Sequence, residues 1–175
     1  MLFPENRGFF TDIHGHGGIT LSKPSNYKVV TFQPSFSYGS SLYIDIFSLP
    51  ISAVFSFNQG YIYESFPSNG IVSRGFTEVS VSTGMEWRIT NSLSSKFEIG
   101  GSFANYYYSE LYFVFPFILV EPILEVKIPN LNYLALTVSS PIRIDLRRDL
   151  DFSINNSLSL ALRFYPFLIG INKGK

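Results

Sequence analysis

Glu78-Val79-Ser80-Val81-Ser82-Thr83-Gly84-Met85-Glu86-Trp87-Arg88-Ile89 reads as one arm of a hairpin. Val79, Val81, Met85, Trp87 and Ile89 alternate along it with Glu78, Ser80, Ser82, Glu86 and Arg88. Thr90-Asn91-Ser92 supplies turn chemistry, and a second arm follows in which Phe97, Ile99 and Phe103 alternate with Lys96, Glu98, Ser102 and Ala104. Successive side chains of a strand point to opposite faces, so a period of two predicts strands, not helices. Strands of globular proteins usually run about 5 or 6 residues. These arms are longer, nearer the roughly 9–11 residues that a tilted strand needs to cross a bilayer.

The same alternation extends in both directions. Val30, Phe32, Pro34, Phe36 and Tyr38 alternate with Thr31, Gln33, Ser35 and Ser37. Ile118, Val120, Leu124, Val126 and Ile128 alternate with Glu121, Glu125 and Lys127. Past Pro129-Asn130-Leu131-Asn132, the apolar phase is Leu134, Leu136, Val138, Ile142 and Ile144, and it resumes as Leu158, Leu160, Leu162 and Phe164. The pattern predicts eight antiparallel strands at about 28–38, 42–48, 52–65, 72–89, 94–107, 112–128, 132–146 and 150–166. Ten is the alternative. Trp87-Arg88-Ile89-Thr90-Asn91-Ser92-Leu93-Ser94 is echoed by Phe152-Ser153-Ile154-Asn155-Asn156-Ser157-Leu158-Ser159, which places a further turn near Asn155.

Composition narrows the class. The 175 residues are 46% apolar, 17% aromatic and only 15% charged, against about 25% charged in an average soluble domain. Lys plus Arg and Asp plus Glu both total 13, so there is no basic footprint for a nucleic-acid partner. Without cysteine, disulfide frameworks and thiol nucleophiles are excluded. The longest apolar run, Leu111 to Val120, is broken by Pro116 and falls short of the roughly 20 residues of a spanning helix. Met1 to Arg7 lack the basic start and apolar run of a signal peptide.

The hairpins Val79–Phe103 and Ile118–Ile144, with the last strand Leu158–Phe164 ending in Phe164-Tyr165-Pro166-Phe167, resemble small outer-membrane β-barrels of diderm bacteria, the OmpA/OmpW type. The likeness covers about residues 28–168 and lies in the pattern, without a diagnostic motif. It implies an all-β, up-and-down transmembrane barrel of eight strands in the cell envelope. Residues 1–27 then form an N-terminal glycine-rich segment, periplasmic or an extra strand, and 169–175 a C-terminal tail. The partners it implies are outer-membrane lipids with lipopolysaccharide, and the barrel-assembly machinery; the expected state is a monomer without cofactor. Such barrels usually end on an aromatic residue, whereas Phe167 is followed here by eight more residues.

The non-apolar phase carries Glu78, Glu86, Arg88, Glu98, Glu121, Glu125, Lys127, Arg143, Asp145 and Arg163. A barrel of eight strands is only wide enough for its own side chains, so these are expected to pair in the lumen. A small-solute or ion pathway is the alternative. Tyr61, Tyr63, Trp87, Tyr106, Tyr107, Tyr108 and Tyr112 are expected in aromatic girdles, where a ring is apolar on its body and wet at its tip.

The two histidines stand in Asp12-Ile13-His14-Gly15-His16-Gly17-Gly18. On an extended chain Asp12, His14 and His16 share one face, the arrangement a metal needs, and any His-dependent catalysis must use His14 or His16. The bland reading, preferred here, is an ordinary glycine-rich loop segment. The expected function is a structural or passive outer-membrane barrel that binds or passes small apolar solutes, in that sense porin-like. Two alternatives stand beside it: a lipid-modifying enzyme resembling lipid A deacylases or acyltransferases, and a soluble, lipocalin-like barrel with its apolar faces turned inward.

Overall fold

The computed structural model describes residues 8–24, 31–46, 51–66, 70–108, 111–131, 133–146 and 150–166. They form β1 (Phe9–Pro24), β2 (Thr31–Asp45), β3 (Ile51–Phe66), β4 (Gly70–Arg88), β5 (Leu93–Tyr108), β6 (Leu111–Lys127), β7 (Leu134–Ser139), β8 (Ile142–Asp145) and β9 (Leu150–Phe164). Each neighbouring pair is antiparallel, and β1 also pairs with β9, closing the sheet on itself.

β7 and β8 are two pieces of one stave. Both lie between β6 and β9 and keep a common register, Ile123 facing Ser139 and Val120 facing Ile142. The ladder is interrupted at Pro141, which has no N–H to give. The barrel thus has eight staves.

Closure has a measurable stagger. From Phe10, successive partners are Tyr43, Val54, Ser82, Gly100, Leu119, Arg143 and Asn155, returning to β1 at Thr20, ten residues beyond the start. Ten residues at ~3.3 Å, set against eight strand spacings of ~4.8 Å, tilt the strands by about 40°. β1 begins and β9 ends at the same end of the barrel as the β2–β3, β4–β5 and β6–β7 connections. We call this the turn end.

Its turns are locally specified. Thr90 Oγ1 accepts from the backbone N–H groups of Ser92 and Leu93 at 3.2 and 3.1 Å, a side chain standing in for backbone. Asn130 adopts φ 65°, the left-handed region that Asn tolerates better than most residues.

Polarity runs inside out. Val81 is 53% exposed and Leu160 62%, whereas Ser82 is 6% exposed and Glu98 only 2%. The apolar phase forms the outer surface and the polar phase fills the lumen. The soluble lipocalin-like alternative requires the opposite and is not what the chain builds.

Three strand expectations are corrected. The strands expected at 28–38 and 42–48 are, over the described residues, the single β2 (Thr31–Asp45), whose Gly39-Ser40-Ser41 reads locally as a turn yet is paired on both sides. Barrel pairing also begins before residue 28: of the two readings of residues 1–27, the described part takes the strand, since Phe9–Pro24 is a stave. The echo at Phe152–Ser159 carries no turn: Asn155 lies mid-strand, facing Arg143 and Thr20. Ten strands are therefore not formed. The tail 169–175 lies outside the described residues.

Candidate functional site

The inward phase of β1 is Phe10, Asp12, His14 and His16, each buried. Outward, Phe9 and Ile13 are exposed. The histidines are thus not on a loop but in the middle of a stave, facing the lumen. Gly15 between them and Gly17 just after them occupy outward positions, where a Cβ would meet nothing closer than 3.9 Å.

At the turn end the lumen is closed by a layer of aromatic rings and cations. Phe10 and Tyr43 stack with centroids 4.5 Å apart and planes within 5°, and Tyr165 tilts against Phe10 at 4.8 Å. Lys96 Nζ lies 3.9 Å, and Arg163 Cζ 4.2 Å, from the Tyr43 centroid, where the negative face of the ring attracts cations. Gly84 leaves room for Lys96: a Cβ there would stand 3.1 Å from Nζ and closer still to Cε. Counter-charges complete the layer. Arg163 donates to Glu125 at 2.7 Å and to Asp12 at 3.3 Å, Lys96 pairs with Glu98 at 3.0 Å, and Ser82 donates to Glu98 at 3.0 Å. Tyr43 donates to Asp12 at 2.8 Å, and Tyr165 to Glu125 at 2.6 Å.

From this layer a hydrogen-bonded file climbs the lumen. Asp12 Oδ1 meets His14 Nδ1 at 2.9 Å, and His14 Nε2 meets Asn58 Oδ1 at 2.6 Å. Asn58 Nδ2 donates to Glu78 at 3.3 Å, and Glu78 accepts from Arg143 Nε at 2.6 Å. The His14–Asn58 contact skips a strand, since β2 lies between them. It passes over Gly39, which faces His14 on one side and Asn58 on the other. A Cβ at Gly39 would stand 2.8 Å from His14 Nε2.

The lumen candidates divide by depth. Glu78, Glu86, Glu98, Glu125, Arg143 and Arg163 are buried, with Arg163 and Glu125 nearly inaccessible. Arg88 and Lys127, ending β4 and β6, are partly exposed at the turn end; Asp145, ending β8, is partly exposed toward the other. Glu121 is partly buried in the middle. Sequence reasoning omitted Lys96, Asn58, Tyr43, Tyr165 and Phe10 from the lumen, and weighed Asp12 only as a metal ligand. Phase was the available signal, since Lys96 shares the parity of Glu98, and Phe10 that of Asp12.

Among the girdle candidates, Tyr61 and Tyr63 are exposed on the outer face and Trp87 is partly exposed near the turn end. Tyr61 lies opposite Gly75, and the stretch of β4 from Gly75 to Trp87 rises about 30 Å along the axis at ~3.3 Å per residue and the tilt above. An apolar belt of about 25 Å fits between those levels. The side chains of Tyr106, Tyr107, Tyr108 and Tyr112 lie outside the described residues.

Asp12, His14 and His16 do not converge as metal ligands. Among the described residues no three His, Asp or Glu side chains are placed to hold a metal ion. Asp12 and His14 are engaged with each other, while His16 stands edge-on to His14, with centroids 4.6 Å apart. Nor is there a nucleophile–base–acid arrangement on His14. Ser41 Oγ lies 3.5 Å from the Nδ1 that Asp12 already holds, and Nε2 faces Asn58, not a hydroxyl. At mid-height His14 and His16 flank a chamber of about 20 Å³, which Glu98, Glu121, Arg143 and several serines also line.

Closed, eight-staved, apolar outside and charged within, the chain has the fold of the small outer-membrane barrels. Neisserial surface protein A is similar over 90% of this chain and 97% of its own, with a TM-score of 0.59 at 12% identity. Ail, the attachment invasion locus protein of Yersinia pestis, is similar over 90% and 99%, with a TM-score of 0.51 at 15% identity. The outer membrane enzyme PagL is similar over 86% and 97%, with a TM-score of 0.54 at 12% identity. No family model matches the chain, and no curated protein matches it in sequence.

Proposed function

We propose that this chain is an integral barrel of a bacterial outer membrane with a plugged lumen, acting structurally or through its surface and not as a conduit. The single observation that carries this is the lumen itself. Among the described residues, paired side chains of the chain's own staves cross it from Tyr165 to Arg143 and leave a central space of about 20 Å³. A porin-like passage for solutes, apolar ones included, finds no support in that interior. The outward apolar phase supports membrane lipids and lipopolysaccharide as surroundings. Insertion by the barrel-assembly machinery and a monomeric state belong to the same proposal.

A lipid-modifying enzyme remains the second reading, favoured by the likeness to PagL. Both rings are enclosed, and neither faces a serine in position to attack, which weighs against it. The test joins three measurements. Spin or fluorescent labels placed at positions 81 and 82 are expected to sense lipid at 81 alone. Unboiled protein should migrate apart from boiled protein on a denaturing gel, and purified protein should add no conductance to a planar bilayer. A lipid-shielded label at 82, or discrete channels, overturns the proposal. Loss of a lipid A modification in His14→Ala would replace it with the enzyme.

A further inference from the structure

We propose that the middle of the lumen is a water-binding site, in which one or two water molecules bridge His16 to Glu121. His16 is 6% exposed, yet among the described residues neither of its ring nitrogens makes a hydrogen bond. A neutral imidazole has one N–H to give and one lone pair to fill, and buried polar groups of native proteins are nearly always satisfied. Across the lumen Glu121 accepts from Ser139 at 2.5 Å, which leaves most of the acceptor capacity of a carboxylate unused. Glu121 also lies directly opposite Glu98 in the β5–β6 register, where like charges repel. Lys96 and Ser82 attend Glu98; among the described residues no cation pairs with Glu121.

Both His16 and Glu121 line the same chamber of about 20 Å³. A polar cavity needs roughly 10–15 Å³ to hold one water, with two to four partners. Serine hydroxyls from several staves, Ser41, Ser80 and Ser159 among them, supply further partners. The chemistry selects water over other small ligands. An anion would meet two carboxylates, a larger solute would not fit, and among the described residues no three His, Asp or Glu side chains gather for a metal. Water gives two hydrogen bonds and takes two, which suits a ring nitrogen on one side and a carboxylate on the other.

The test is diffraction from crystals of the full chain, grown in rubidium chloride and measured at the rubidium edge. The expected result is density within hydrogen-bond distance of a His16 ring nitrogen and of a Glu121 oxygen, without anomalous signal. A rubidium peak in the chamber overturns the proposal in favour of a cation. A His16 ring bonded directly to protein groups, with nothing beside it, also overturns it. His16→Leu should remove the density beside position 16, and His16→Gln should keep it; unchanged density in the Leu variant counts against the bridge. None of these readouts depends on where the barrel resides, so failure here is separable from failure of the outer-membrane reading.

Discussion

The turn-end layer and the middle of the lumen solve the same problem with different materials. Both must fill the inside of one barrel with polar side chains. The turn end uses large groups, Phe10, Tyr43, Tyr165, Lys96 and Arg163, with carboxylates matched to each cation. The middle uses glycine and serine on the staves and lets a few long side chains cross, which is how His14 reaches Asn58 over Gly39. Large matched groups stack and pair across the turn end. Small ones leave a chamber, and with it a histidine whose ring nitrogens make no hydrogen bond among the described residues. Filling a barrel and satisfying its polar groups are therefore separate requirements: even in the turn-end layer, where ions pair and rings stack, Arg163 Nε makes no hydrogen bond among the described residues.

The sharpest way to break this contrast is Arg163→Ala. It strands Asp12 and Glu125, both buried, and removes a cation from Tyr43. Leaving a buried charge uncompensated costs about 3–5 kcal/mol. Urea unfolding in lipid vesicles should show a loss of that size; a loss under about 1 kcal/mol would mean that packing, not charge, closes the turn end.

Gly39→Ala strikes the middle instead. The new Cβ would push into His14, Asn58 and the Phe57 carbonyl, an overpacking cost of about 2–3 kcal/mol. Gly17→Ala is its control, because a Cβ there meets nothing within 4 Å. Equal unfolding midpoints for the two variants would show that the crossing over Gly39 is not a constraint.

Tyr43→Phe is the mildest. The ring keeps its stack with Phe10 and its cations, and only the 2.8 Å bond to Asp12 is lost. A hydrogen bond to a charged group contributes about 1.5 kcal/mol or somewhat more. Arg163 still holds the same Asp12 oxygen, so the loss in the same unfolding assay should fall near the low end. A loss matching that of Arg163→Ala would erase the distinction between ring and charge.

Much of this was written in residue parity. Val79, Val81, Ile99 and Phe103 against Ser80, Ser82, Glu98 and Ser102 assign outside and inside without reference to any neighbour, because the pleat sets that period. Parity failed where composition imitated a loop. Gly15, Gly17 and Gly18 hid the first stave, and Gly39-Ser40-Ser41 split the second. Both segments are strands because neighbours pair with them on two sides, a long-range fact that no local window contains. The lumen shows the same limit. That Glu78, Glu125, Arg143 and Arg163 face inward follows from phase, but which partner each finds depends on the ten-residue stagger.

What the sequence determined by itself is an alternating chain too poor in charge to dress a water-facing surface, and long enough in each arm to cross a bilayer. The closed tertiary structure decided the rest: which arms are staves, that His14 lies between Asp12 and Asn58, and that Arg163 is shared by Asp12 and Glu125. Alternation is a property of one strand and needs only the backbone pleat. Pairing across a lumen depends on closure, tilt and stagger, which exist only once all the staves have met.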